Sequence, residues 1–269
     1  MKTIRHLMTR SLTPVRRQLL TLPPREDLLA KTKWLMKRSV LAMIPQIFYP
    51  ANPDELLAHR YQLLVKVGWG ISSTVWLARD TRGHKEEPQS AVTLKIMNTN
   101  PAQDVAHDER QIEDHNANTD SCHRGYALVR PNVDSFEVVD PKGKHLCLAA
   151  FGDKANGLSS DLKLENIMVS FEGPTVLGDF LNLQLDQPIH CKIDSAGRPI
   201  YRSHNEFGPI RNMRKIIPKI VDFGGATTFN HEGQWGLYPI QPDHYRAPEV
   251  ILGCGWKTRA DIWNLGVLK

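Results

Sequence analysis

The sequence holds no CxxC pair, no apolar run of bilayer-crossing length, no internal repeat, and no acidic residue in its first 25 positions. Each absence removes a class of function. Cys122, Cys147, Cys191 and Cys254 are far apart, which argues against a zinc site and, in a chain of 269 residues, against a disulfide framework. Reduced, mostly buried thiols of an intracellular protein are expected instead. The apolar stretch Ser39–Tyr49 is short and broken by Pro45, so no membrane association is expected. The acid-free tail carries Lys2, Arg5, Arg10, Arg16, Arg17 and Arg25. Without those six the remainder has 28 basic and 29 acidic residues, so the net charge of +5 belongs to the tail. A body without basic excess offers no polyanion surface, and direct nucleic-acid binding is not expected; an RNA-associated role would rest on the tail alone. Ile4, Leu7, Met8, Leu12, Val15 and Leu19 recur among arginines at near-helical spacing, the composition of a mitochondrial transit peptide. The other reading of the tail is a disordered basic extension, which Pro14 favours.

What is present is an ordinary globular composition, 41% hydrophobic and 23% charged, with ample length for a core. Residues 26–50 are mixed and Pro-bounded. From Tyr61 the pattern alternates as strands do: 61–67, 74–78 and 91–97, with a polar connection over 81–90 that holds Gly83 and Pro88. Residues 102–116 fit a helix poorly, though Glu109 and Ile112 could share a face. Asp140-Pro141-Lys142-Gly143 is a turn signal between strands at 129–139 and 145–150. A mostly antiparallel sheet with one helix is expected first, followed by a loop-rich second half.

The second half and the turn at 68–75 carry the chemistry. Gly68-Trp69-Gly70 sits between two strands, where glycines let a turn approach phosphates. The next strand places Lys95 inside the apolar run from Val92, a cation suited to the α- and β-phosphates, with Glu109 as its candidate helix partner and Glu113 second. Phosphoryl transfer to a hydroxyl needs a carboxylate to receive the proton, a cation at the γ-phosphate and an oxygen on the metal. Asp161, Lys163 and Asn166 supply these in Asp161-Leu162-Lys163-Leu164-Glu165-Asn166. Asp222-Phe223-Gly224 follows the apolar Ile220-Val221, as a strand delivering a second metal-binding carboxylate would. Ala247-Pro248-Glu249 and Asp261-Ile262-Trp263-Asn264-Leu265-Gly266 complete an ordered set of protein-kinase motifs.

The wording of these motifs resembles the serine/arginine-rich protein kinase family, in its fungal form, over roughly residues 60–269. Gly68-Trp69-Gly70 through Ser73-Thr74-Val75-Trp76-Leu77-Ala78-Arg79-Asp80 is similar to that family's glycine loop, with Ser73 where most kinases have a third glycine. Val129-Arg130 with Asp134-Ser135-Phe136, Gly143-Lys144-His145-Leu146-Cys147-Leu148, and Gln241-Pro242-Asp243-His244-Tyr245-Arg246-Ala247-Pro248-Glu249 carry the likeness further. The long stretch from Asn166 to Asp222, with Pro174, Pro188, Pro199, Pro209 and Pro218, looks like the family's spacer; its alternative is a disordered loop.

The resemblance implies an α+β, two-lobed kinase fold. Its parts would be a basic extension over 1–50, a first lobe over 51–151 and a partial helical lobe over 152–269, with a spacer at about 170–216. It implies ATP and Mg²⁺ as cofactors, with Val67, Gly68, Gly70, Val75, Lys95 and Glu109 at the nucleotide, Asn166 and Asp222 on the metal, and Asp161 and Lys163 as catalytic residues. It implies a monomer acting on Ser of Arg/Ser-rich splicing factors, in cytoplasm and nucleus; the tail leaves the mitochondrion as the alternative. Three departures stand against full activity. Only nine residues separate Phe151 from Asp161, too few for the two helices kinases place there. Ser159 replaces the catalytic-loop histidine, and Lys269 lies inside the helix that Asp261 begins. A catalytically impaired, pseudokinase-like fragment or interaction module is therefore the alternative function. Ser160, where phosphorylation-controlled kinases carry arginine, implies no need for an activating phosphate at Thr227 or Thr228.

Overall fold

A computed structural model describes residues 25–27, 47–82 except 71, 91–99, 109–115 except 113, 122, 124–130 except 129, 132–151, 166–227 except 174, 188, 195 and 196, 229, and 233–268. The tail reading, the polar connection over 83–90, Glu113, and the segment 152–165 with Asp161, Lys163, Ser159 and Ser160 lie outside the described residues. The strands are β1 (Arg25–Asp27), β2 (Leu56–Leu57), β3 (Tyr61–Trp69), β4 (Ser73–Asp80), β5 (Ala91–Met97), β6 (Asn132–Asp140), β7 (Gly143–Phe151), β8 (Ile167–Val169), β9 (Ile189–Ile193), β10 (Pro199–Tyr201) and β11 (Pro218–Ile220). The helices are α1 (Thr175–Leu185), α2 (Pro248–Ile251) and α3 (Arg259–Val267). They fall into two compact units, neither continuous in sequence. The first takes residues 1–100, 134–152 and 171–215; the second takes 101–133, 153–170 and 216–269.

The first unit is built on a six-stranded sheet in the order β2-β3-β4-β5-β7-β6. Burial along β5 alternates, with Val92, Leu94 and Ile96 buried and Ala91, Thr93 and Lys95 half-buried. This is the period-2 pattern of a strand with one dry face and one partly open one. The dry face gathers Tyr61, Leu63, Trp76, Leu94, Cys147 and Ala149, and it is covered by Cys191 and Tyr201 from the small sheet β1-β9-β10. Leu64 and Leu77 instead meet Phe180 and Leu181 of α1, with Val65, Val67, Ala91 and Phe207 packed alongside. Both covers come from 171–215. The expected spacer is therefore a folded part of the first unit, with its own helix and strands.

Arg60 fastens the start of β3. Its guanidinium donates to both carboxylate oxygens of Asp80 at 2.9 and 2.7 Å and to Asp134 at 2.7 Å, while the Tyr61 hydroxyl also donates to Asp134. Such a forked pair fixes direction as well as distance. The 140–143 turn is present between β6 and β7. Asp140 Oδ1 accepts the backbone N–H groups of Lys142 and Gly143, and Gly143 has φ +152°.

In the second unit β8 and β11 pair antiparallel, and two apolar clusters form. Phe223 packs on Ile112, and Ala247, Val250, Trp256 and Ala260 pack together. Gln241 ties the second cluster: its Oε1 accepts the Ala247 N–H at 2.8 Å and its Nε2 donates to Ala260 O at 2.9 Å. Residues 109–112 and 114–115 are helical, and Glu109 and Ile112 are both buried, on the shared face the spacing suggested.

Candidate functional site

In the first unit three neighbouring strands bring the expected nucleotide residues side by side. Gly68 of β3 is opposite Val75 of β4, and Val75 is opposite Lys95 of β5. Directly paired residues share a face, so Gly68, Val75 and Lys95 form a row across the sheet. The turn beyond Gly68 is closed by the Gly70 N–H donating to Ser73 O at 2.8 Å. A Cβ on Gly68 would meet only Val75, at 3.6 Å, and one on Gly70 would meet nothing within 4 Å. The protein itself does not demand glycine at either place, and neither has a positive φ. What the bare backbone leaves is room above Val75, which a ligand's phosphates could use. Thr93, two residues from Lys95, lies on the same half-open face, as the period-2 spacing from Lys95 requires, although it belongs to none of the motifs. Val67 borders the cluster made by α1 and Phe207, so the segment 171–215 flanks this row.

In the second unit the β8–β11 ladder sets the two expected metal ligands. Ile167 is opposite Ile220, and the Val221 N–H donates to Asn166 O at 2.9 Å. That register puts Asn166 beside the strand end from which Asp222 emerges. Asp222 is exposed and has φ +67°, a left-handed conformation unusual for a residue other than glycine. Held strain of this kind marks a position defined by its surroundings. They are visible: Phe223 is 1% exposed against Ile112, so the chain must turn sharply to leave Asp222 outside.

Glu109 is also 1% exposed, with Oε2 3.3 Å from where a Gly224 Cβ would stand; Asp222 Oδ1 would be 3.7 Å away. Gly224 is thus the close approach that a side chain would block. Glu109, expected beside Lys95, belongs to the second unit and Lys95 to the first. An amide oxygen and a carboxylate suit a hard cation that keeps water and phosphate as its other ligands. Among the described residues no group of three or more His, Cys, Asp or Glu side chains could hold a metal by itself.

Asp261 lies in the first turn of α3. Burial lifts its carboxyl to about 6, outweighing the helix N-terminus, which favours the charged form. Its Oδ1 has no hydrogen-bond partner among the described residues.

No family model matches the chain. A serine/threonine protein kinase of Aspergillus fumigatus is 29% identical over 255 residues, covering 82% of this chain and 60% of the relative. The serine/threonine-protein kinase SRPK of Physarum polycephalum is 26% identical over 278 residues, again 82% of this chain and 62% of its own. The chain is thus similar in sequence to serine/threonine protein kinases, an SRPK among them. Another similar sequence is serine/threonine-protein kinase AFC2 of Arabidopsis thaliana, 46% identical over 119 residues, 44% of this chain and 23% of that protein. The chain spans about three-fifths of the length of the Aspergillus and Physarum proteins. A solved kinase domain covers 82% of the chain and 67% of its own length at TM-score 0.52 and 20% identity, which shows the fold. The α+β expectation stands, as a partial kinase fold. No helix among the described residues is long and apolar enough to cross a membrane.

Proposed function

We propose that this chain is an ATP- and Mg²⁺-dependent serine/threonine protein kinase whose substrates are serines of Arg/Ser-rich splicing factors. The observation that carries the reading is the row Gly68–Val75–Lys95, with an open turn at one end and a cation at the other. On this reading Val67, Gly68, Gly70 and Val75 cover the nucleotide and Lys95 orients its α- and β-phosphates. Asn166 and Asp222 would hold Mg²⁺, which would supply positive charge against the phosphates. Asp161 receives the proton of the serine hydroxyl, and Lys163 steadies the γ-phosphate. Similarity to kinases of the SRPK and AFC type supports the substrate class.

The test is phosphate incorporation into an Arg-Ser repeat peptide, with nucleotide binding followed separately by the thermal midpoint. Mg-ATP should raise the midpoint, because a ligand of the folded state stabilises it. Asp161→Asn should remove transfer while leaving that rise intact. Equal loss of both would assign Asp161 a structural role. The rival reading, an impaired interaction module, is favoured by the nine residues between Phe151 and Asp161. It would be supported by no transfer and no shift.

A further inference from the structure

On the dry face of the first unit's sheet, away from the row that includes Lys95, a cleft of about 90 Å³ opens between β3–β4 and the residues Asp194 and Arg198 to Tyr201. Lys66 and Trp76 are opposite each other in the β3–β4 register, so both side chains rise from this face. Phe48 and Tyr49 close one side, and Ile200 and Tyr201 of β10 the other; the rings of Trp76 and Tyr201 meet edge to face at 5.7 Å. Among these apolar walls is one amine. Lys66 is 8% exposed, and among the described residues neither a hydrogen bond nor an ion pair joins its Nζ to the protein. It also lines a smaller adjoining cleft of about 20 Å³ with Gln184, Arg202 and His204.

The other charges at the main cleft satisfy each other. Arg198 Nε and Nη2 each lie 3.1 Å from Asp194 Oδ2, and the Arg198 N–H reaches Asp194 Oδ1. Arg202 and His204 add no anion, so among the described residues no side chain lining either cleft neutralises Lys66. A buried ammonium without a counter-charge is costly, and burial lowers this one's affinity for its proton. An anion entering the cleft would relieve that cost and be rewarded for it. The walls decide which anion: aromatic and aliphatic surfaces reward a flat apolar body, which an inorganic ion lacks.

We propose that this cleft is a binding site for a small flat carboxylate, its anionic end on the Lys66 amine and its ring against the Phe48, Trp76 and Tyr201 walls. The site stands apart from the nucleotide residues and does not depend on the kinase reading. It backs directly onto the strand that runs into Gly68, so a bound acid would stiffen the base of that turn.

Calorimetric titration of the full chain with sodium benzoate, benzamide and inorganic phosphate tests the assignment. Benzoate should saturate one site, with benzamide and phosphate each at least tenfold weaker. Lys66→Met, which keeps the stem and removes the charge, should abolish the preference for benzoate over benzamide. Should that variant fail to fold, the benzoate-to-benzamide ratio on the unaltered chain decides. Equal affinities for the two would mean an apolar cleft only. Phosphate matching benzoate would refute the flat-body requirement. Unchanged benzoate binding in Lys66→Met, or no saturation below about 10 mM, weaker than the −4.1 kcal/mol that a 1 mM constant represents, would overturn the proposal.

Discussion

Lys66 and Asp261 are each taken from water by folding, and they make opposite predictions with pH. Burial brings Lys66 down to about 8 from its ordinary value near 10.5. The unfolded chain then holds the proton more tightly, so stability should rise between pH 8 and 10.5 and show this penalty in full below pH 8. The penalty is on the order of 3 kcal/mol. Lys66→Met should accordingly raise the thermal midpoint at pH 7 and flatten that rise. Asp261, lifted to about 6 by burial, behaves in reverse: the folded chain holds the proton more tightly, so stability falls as pH rises from about 4 to 6. Asp261→Asn should raise the midpoint at pH 7 by roughly 2–4 °C and leave it unchanged at pH 4. Gly236 is a residue of another kind. It exchanges two backbone hydrogen bonds with Trp256, and a Cβ there would overlap the indole ring. Gly236→Ala should cost about 1–3 kcal/mol by overpacking, read as a lower midpoint and shifted tryptophan fluorescence.

Among elements, the β2–β3 hairpin has the wrong residues for its turn. Ala58 and His59 have φ of +50° and +51°, and the Arg60 N–H closes on Leu57 O at 3.0 Å. Two consecutive positive φ values are the mark of a type I′ turn, which favours Asn-Gly. Ala58→Asn with His59→Gly should stabilise the chain by about 1–2 kcal/mol, measured by denaturant midpoint. The same mismatch explains why the strand pairing at 56–62 was illegible: Ala-His carries no turn signal. The longer strands were legible because Val92, Leu94 and Ile96 alternate with more exposed residues, and because Asp140-Pro141-Lys142-Gly143 announces its turn. The row Gly68–Val75–Lys95 could be named from motifs, but its lateral register needed the bulges between Leu63 and Val65 and between Lys66 and Gly68. Residues 171–215 depart furthest from the pattern that their sequence suggests. Their four prolines and mixed charge read as a loose excursion, while Phe180, Leu181 and Phe207, too scattered to form a period, supply a cover for Leu64 and Leu77. Phe180→Ala should cost about 3–5 kcal/mol, the toll of a buried aromatic, where a disordered loop would show none.

For the whole molecule, the two units interleave along the chain, so neither can be cut out as one continuous piece. Deleting 171–215 removes no motif residue, yet it strips Cys191, Tyr201, Phe180 and Phe207 from the first unit. The shortened chain should lose its cooperative melt and its tryptophan environment rather than gain an open active site. The edge of β3 adds to this, since the His204 N–H donates to Lys66 O at 2.8 Å where β2 has already ended. An uncovered strand edge invites pairing with another chain.

Such late covering has a consequence for birth on the ribosome. The sheet strands are complete at Phe151, but Tyr201, which meets Trp76 from the other side, is made 50 residues later. At the usual pace of synthesis the Trp76 face waits on the order of several seconds without its lid. During that interval the nascent chain presents a bare aromatic surface and an unpaired β3 edge, which is where a chaperone would be expected to engage it first.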